Sequence, residues 1–275
     1  MFTLNCRGKL LVIDQPIVMG IINATPDSFY RDSRKMAVEE AVAQAAKMLS
    51  EGAAILDIGG QSTRPGAAAC SAEQELERVL PMIEGILDRF PDTLLSIDTY
   101  HSKVAAATAE RGVSIVNDIS GGDFDPGMLE TVASLRMPFV CMHVKGNATT
   151  MHKVPDYTDV VTEVLDHFIH KTEACRQAGI NDIIIDPGFG FSKQAAHNFS
   201  LLRRLEVFSI LGKPILAGLS RKSTIYKTLG ITPEASLNGT TVLNTAALLK
   251  GASILRVHDV KEALEAVKLI AHLKG

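Results

Sequence analysis

The chain has 275 residues, of which 46% are apolar and 21% charged, and it carries a net charge of −3. That balance excludes a disordered chain and a broad basic field for non-specific nucleic-acid binding, and the length lies close to the roughly 250 residues of one (β/α)8 barrel domain, so a single domain spanning residues 1–275 is expected. The four cysteines, Cys6, Cys70, Cys141 and Cys175, form no C-x-x-C pair and are expected as reduced thiols rather than as disulfides or zinc ligands.

Residues 2–14 alternate in character around Arg7-Gly8-Lys9 and predict a hairpin over the bottom of the barrel. This opening stretch has no signal-peptide core, and no later run reaches the ~18 apolar residues needed to cross a bilayer, so a cytoplasmic protein is expected. Apolar, strand-like runs then recur eight times: Ile17–Ile22, Ile55–Ile58, Leu94–Ile97, Ser114–Val116, Phe139–Met142, Ile183–Ile185, Pro214–Ala217 and Ile254–Val257. Between them, helical periodicity covers Ala37–Ser50, Ala72–Arg89, Lys103–Glu110, Pro126–Leu135, Tyr157–Ala178, Asn198–Leu211, Pro233–Lys250 and Val260–Leu273. Strict alternation of strand and helix predicts a parallel sheet. Gly52, Gly112, Gly179 and Gly251 precede every second strand, where a helix end needs positive φ, and Pro16, Pro91, Pro138 and Pro214 precede the others. This two-unit rhythm suits a barrel whose interior layers draw on alternate strands. The rival open doubly wound sheet should carry a Gly-x-Gly-x-x-Gly turn after an early strand, and none is present.

Nearly every run ends in a polar residue, and the ends read in order Asn23, Gly59-Gly60, Asp98, Asn117, Met142 with His143, Asp186, the Ser220–Ser223 turn, and Arg256 with His258. A barrel displays its chemistry at the C-terminal ends of its strands, which makes an enzyme the default reading. Taken singly, Asp98, Asn117 and Asp186 are equally well read as caps of the following helices. Arg221 reads as structural, His143 as structural because its parity is opposite to that of Met142, and Asp57 is open between a loop partner and a functional group. Arg256 lies on one face of its strand with Ile254 and His258, where an unpaired guanidinium would be costly and an anionic ligand would resolve the cost.

The motifs Asn23-Ala24-Thr25-Pro26-Asp27-Ser28-Phe29, Gly60-Gln61-Ser62-Thr63-Arg64-Pro65-Gly66, Asn117-Asp118-Ile119, Asp186-Pro187-Gly188-Phe189-Gly190-Phe191 and Ser220-Arg221-Lys222-Ser223 closely resemble, in order, the signatures of the dihydropteroate synthase family. The resemblance runs from about residue 17 to 270. It implies a transferase that joins 4-aminobenzoate to 6-hydroxymethyl-7,8-dihydropterin diphosphate, with early loss of pyrophosphate and attack of the amine on a cationic pterin methylene. It further implies Asp98, Asn117, Met142, Asp186 and Lys222 at the pterin; Asn23, Arg256 and His258 at the diphosphate; and Thr63, Arg64, Pro65, Phe191, Lys222 and Ser223 at aminobenzoate. Asp98, Lys222, Arg256 and His258 are the expected catalytic groups. Magnesium, ligated by Asn23, is the implied cofactor, and the implied assembly is a homodimer through the later helices that sulfonamides inhibit. The sequence has Tyr30-Arg31-Asp32-Ser33 where Ser-Asp-Gly-Gly is usual in the family. Rival readings are a methyltetrahydrofolate-binding methyltransferase barrel, which needs no Ser220–Ser223 turn, a non-catalytic pterin-binding barrel, and a Schiff-base aldolase using Lys222.

Overall fold

The computed structural model describes residues 1–24, 31–61, 70–151 and 156–274, with backbone only for 31–35 and 274. The chain opens with an antiparallel hairpin, β1 (Phe2–Cys6) and β2 (Lys9–Ile13), whose tight turn holds Arg7 and Gly8 at positive φ. Eight parallel strands follow: β3 (Ile17–Asn23), β4 (Ile55–Gly59), β5 (Leu94–Asp98), β6 (Ile115–Asp118), β7 (Phe139–Met142), β8 (Ile183–Asp186), β9 (Leu216–Ala217) and β10 (Ile254–Val257). Hydrogen bonding runs β8-β7-β6-β5-β4-β3-β10-β9, and a parallel bridge between Ile185 and Ile215 joins the two ends, so the sheet closes as a (β/α)8 barrel.

Helices α1 (Arg31–Ser50), α2 (Ala72–Arg89), α3 (Ser102–Glu110), α4 (Met128–Leu135), α5 (Val160–Ala178), α6 (Ala195–Arg203), α7 (Ser223–Leu229), α8 (Leu237–Leu249) and α9 (Val260–Lys274) surround it. The four glycines expected at helix ends, Gly52, Gly112, Gly179 and Gly251, have φ of 98°, 103°, 96° and 94°. Several helix bounds differ from the periodicity for local reasons. The Asp159 carboxylate accepts from the N–H groups of Val161 and Thr162, which starts α5 at Val160 rather than at Tyr157. Asp125 holds the amides of Ser102 and Gly127, so the turn containing Pro126 precedes α4. The single helix expected over Asn198–Leu211 begins three residues earlier and breaks at Arg204 into a 3-10 turn, Leu205–Leu211. Helix α7 was not expected, and Pro233–Lys250 divides into a 3-10 turn at Glu234–Ser236 and α8.

The floor of the barrel is apolar. Met19, Ile55, Ile115, Val140, Ile184, Leu216 and Ile254 are buried there with Leu94 beside them, so each of the eight barrel strands contributes. This layer draws on every strand rather than on alternate ones, because the hairpin supplies Leu4, Cys6 and Ile13 from below to fill the centre. The hairpin is also tied at its edges, by the Asn5 N–H to Asp182 and the Arg7 guanidinium to the Ala109 carbonyl. With the lower end sealed, the polar inward positions among the described residues lie toward the opposite mouth. Leu4→Ala should therefore lower unfolding free energy by about 2–5 kcal/mol, the usual cost of a core leucine, while leaving ligand affinity at the mouth unchanged. Urea unfolding beside calorimetry checks both halves of that expectation.

Candidate active site

Inward positions climb from the floor in steps of two, so most strands exchange an apolar residue below for a polar one above, while β7 presents Met142 and β9 is followed by Gly218. Asn23, Gly59, Asp98 and Asn117 are register partners on β3, β4, β5 and β6 and form one row across the mouth. Met142 and Asp186 pair the same way on β7 and β8. Arg256 reaches this row from β10. Its Nε donates to Asp57 Oδ2 at 2.6 Å and its Nη2 to Asp98 Oδ2 at 2.6 Å. The Asn117 amide donates to the same Asp57 oxygen at 3.0 Å.

Burial works against the Arg256 charge, but the Asp57 and Asp98 carboxylates outweigh it and hold its pKa above the ordinary value. A guanidinium has five N–H donors, and two are used here among the described residues, so three remain to meet an anion. Burial raises the pKa of Asp98, and Arg256 opposes the rise; a further cation beside it would favour the ionised carboxylate.

The β8 side of the mouth is built on a turn. Asp186 is buried, and its Oδ1 accepts the Gly188 N–H at 2.8 Å. Burial raises its pKa, against the pull of Lys222. Gly188 has φ of 71°, and a Cβ there would stand 2.0 Å from the His143 carbonyl oxygen, so this close turn tolerates glycine alone. The Lys222 side chain runs along Gly190, donates to the Phe189 carbonyl, and places its Nζ 4.8 Å from the centre of the Phe191 ring. Burial lowers the Lys222 pKa to about 8, with Asp186 opposing. Phe191 packs against a buried apolar group of Ile119, Met142, Val144 and Met151, which gives the pocket one greasy wall.

At the rim, His258 is exposed and its Nδ1 lies 3.0 Å from Ser220 Oγ. Ser220 Oγ accepts the His258 backbone N–H at 3.2 Å and can give its own proton to Nδ1, the tautomer that leaves the ring proton on Nε2. Although the ring reaches solvent, the protein packed against it and then the Arg256 charge lower the His258 pKa. A neutral ring with an Nε2–H is a donor to an anion at neutral pH. Arg221 takes the structural role expected of it: it grips Asp259 with two nitrogens at 2.8 Å and donates to the Pro233 and Glu234 carbonyls. Ser223 is half-buried as the first residue of α7. Asn23 is exposed beside Gly59, with its Oδ1 3.4 Å from where a Gly59 Cβ would stand. No group of three or more His, Cys, Asp or Glu able to hold a metal occurs among the described residues. One accessible amide oxygen fits a magnesium that brings its own waters and diphosphate oxygens.

The structure thus gathers Asn23, Asp98, Asn117, Met142, Asp186, Phe191, Lys222, Arg256 and His258 at one barrel mouth. Thr63, Arg64 and Pro65 lie outside the described residues, as does Thr25–Tyr30; Asp32 falls in the first turn of α1. Asp57 is resolved as a direct partner of Arg256. Glu75 and Lys193 were not singled out in the sequence. Glu75 is fully buried in α2, accepting from Gln61 Nε2 at 2.6 Å and Thr99 Oγ1 at 3.1 Å, and it secures the start of the β4–α2 connection. A glutamate in an amphipathic helix reads as a solvated face, so period alone did not mark it.

The Pterin binding enzyme family matches residues 19–258. The dihydropteroate synthase of Escherichia coli K12 is 44% identical over 266 residues, covering 96% of this chain and 94% of its own length. The solved dihydropteroate synthase of Xanthomonas albilineans with 4-aminobenzoic acid superposes with a TM-score of 0.91 at 41% identity, covering 99% of this chain and 98% of that one. Its complex with 7,8-dihydropteroate superposes with a TM-score of 0.87 at 38% identity over the same shares of the two chains.

Burial pushes the Glu75 carboxyl up to about 7, against its hydrogen bonds from Gln61 and Thr99. A carboxyl raised in the folded state keeps a proton that the unfolded chain has lost, so its contribution to stability falls as pH climbs from 4.5 to about 7. Glu75→Gln should abolish that fall. Urea midpoints across this range should show wild-type stability declining relative to the variant, with a constant difference above it.

Proposed function

The chain belongs to the dihydropteroate synthases of the pterin binding enzyme family, and from that premise we propose that it joins 4-aminobenzoate to 6-hydroxymethyl-7,8-dihydropterin diphosphate, releasing pyrophosphate and 7,8-dihydropteroate. The observation that carries this reading is the pairing of two opposed polar sets at one mouth. Asp186, Asn117 and Lys222 suit the donor and acceptor edge of a pterin, and Arg256 with His258 suits the anion.

In this reading the pterin lies over the Asp98–Asn117 row, with its amino and ring N–H groups donating to Asp186 and Lys222 donating to its acceptor edge. The C–O bond between the methylene and the diphosphate breaks first, and its electron pair leaves with pyrophosphate. The three unspent Arg256 donors and the neutral His258 Nε2–H face the charge that grows on the departing oxygens. The Asp98 carboxylate steadies the cationic pterin methylene. The aminobenzoate amine then supplies its lone pair to form the C–N bond, and the resulting ammonium gives its proton to solvent water. Phe191, the Lys222 stem and Ser223, with Thr63, Arg64 and Pro65, hold the aminobenzoate ring and carboxylate. Magnesium, when bound through Asn23, would offset negative charge on the diphosphate.

A methyl-transferring barrel would share the pterin pocket but would not need Arg256 held between two carboxylates for an anion. The placement of Lys222 against Phe189 and Phe191, with Asp186 beside it, fits a binding cation better than a Schiff-base amine. Four free, buried cysteines and the lack of any membrane-crossing helix among the described residues agree with a cytoplasmic setting. A homodimer through the later helices completes the reading, and exposed Val242 and Leu249 on α8 with Leu269 and Leu273 on α9 support it.

Given the pterin diphosphate, aminobenzoate and magnesium together, the purified protein should form pteroate and release pyrophosphate in step. Pyrophosphate release that requires aminobenzoate but gives no pteroate would overturn the assignment. Asp186→Ala should weaken binding of a pterin analogue by ~2 kcal/mol or more, as removal of a charged acceptor requires, which calorimetry reads. Sulfonamides, which share the ring, amine and acidic group of aminobenzoate, should compete with it.

A further inference from the structure

Lys193 is 6% exposed and lies directly after the Asp186–Phe191 turn, yet nothing in the proposed chemistry uses it. Its ammonium is enclosed by acceptors: the Gly188 carbonyl at 3.1 Å, the Phe191 carbonyl at 3.1 Å, the His143 carbonyl at 3.3 Å and His143 Nδ1 at 2.9 Å. A buried ammonium without a carboxylate in contact is expensive, and burial lowers the Lys193 pKa to about 7. Two of the Lys193 hydrogen bonds converge on one piece of backbone. What they hold is the underside of the turn. The Gly188 and Phe191 carbonyls point to Lys193, whereas the intervening Phe189 carbonyl points to Lys222. The turn is thus pinned from opposite sides by two lysines, and the Gly188 N–H is left facing Asp186. A Cβ on Gly188 would stand 3.2 Å from the Lys193 Nζ, which shows how closely this ammonium underlies the turn.

We infer that Lys193 is a positioning residue for the pterin pocket, which sets Asp186 and Phe191 by drawing the carbonyls of their turn inward. The inference rests on the pterin reading of Asp186 given above. It acts through backbone carbonyls, so a substitution should act on the β8 side of the mouth and leave the β10 anion side alone. His143, whose pKa burial and Lys193 drive well below the ordinary value, serves as a neutral acceptor in this arrangement.

Lys193→Met keeps the length of the side chain and removes its donors. Calorimetry should find the affinity for 6-hydroxymethylpterin reduced at least tenfold and the affinity for pyrophosphate within twofold of wild type. In the Asp186→Asn background the same substitution should cost less than threefold, because the group it positions has already lost its charge. Equal losses for both ligands, or full additivity with Asp186→Asn, would overturn the inference and leave Lys193 as fold stabilisation only. If Lys193→Met does not fold, the Lys193 side-chain NMR resonance of the wild-type protein should shift on adding pterin and not on adding pyrophosphate; a resonance indifferent to pterin overturns it equally. A wild-type protein that binds no pterin would instead contradict the pterin reading itself.

Discussion

The site depends on one guanidinium held between two carboxylates inside a barrel. Arg256 on β10 spans the mouth to Asp57 on β4 and Asp98 on β5, and the same Asp57 oxygen receives Asn117 from β6. Charges taken out of water are tolerated only when paired and hydrogen-bonded, and removing one partner of a buried pair costs about 3–5 kcal/mol. The arrangement therefore restrains four strands at the level where substrate binds. It also leaves the guanidinium with a defined set of unused donors rather than a free rotor. Binding an anion then requires little reorganisation, which is the condition for electrostatic stabilisation of a leaving group.

Around this pair the walls of the mouth balance charge with charge. Asp57, Asp98 and Asp186 face Arg256 and Lys222, and each cation also reaches a backbone carbonyl or a carboxylate with defined geometry. The apolar floor beneath, closed by the hairpin, keeps water from the lower half of the barrel. A low dielectric below the polar layer makes the interactions above it stronger and makes any unpaired group costlier. Fold and chemistry meet at this boundary between layers, which period-two alternation places two residues above Ile55, Leu94, Ile115 and Ile254.

Much of this was legible in the sequence. The eight apolar runs marked the eight barrel strands, and polar residues at their ends marked the mouth, because strand parity and the barrel rule together dictate where such side chains point. Local capping escaped the periodicity: Asp159 and Asp125 set helix starts through side-chain hydrogen bonds, and α7, only seven residues long, is too short to show a period. Partnership escaped it for a different reason. Asp57 and Arg256 are 199 residues apart, and it is the pairing of β3 with both β4 and β10 that brings them within reach. Lys193, between Ser192 and Gln194, reads as a solvated cation until the chain folds three carbonyls onto it.

The central claim is that Asp57 acts on the anion through Arg256. It is tested most directly by a double-mutant cycle on pyrophosphate affinity, measured by calorimetry for wild type, Asp57→Asn, Arg256→Lys and the double variant. If Asp57 works by holding the guanidinium, each single substitution weakens pyrophosphate at least tenfold and the double variant is little worse than Arg256→Lys alone. Independent, multiplying losses would show that Asp57 and Arg256 serve the anion separately and would contradict the account.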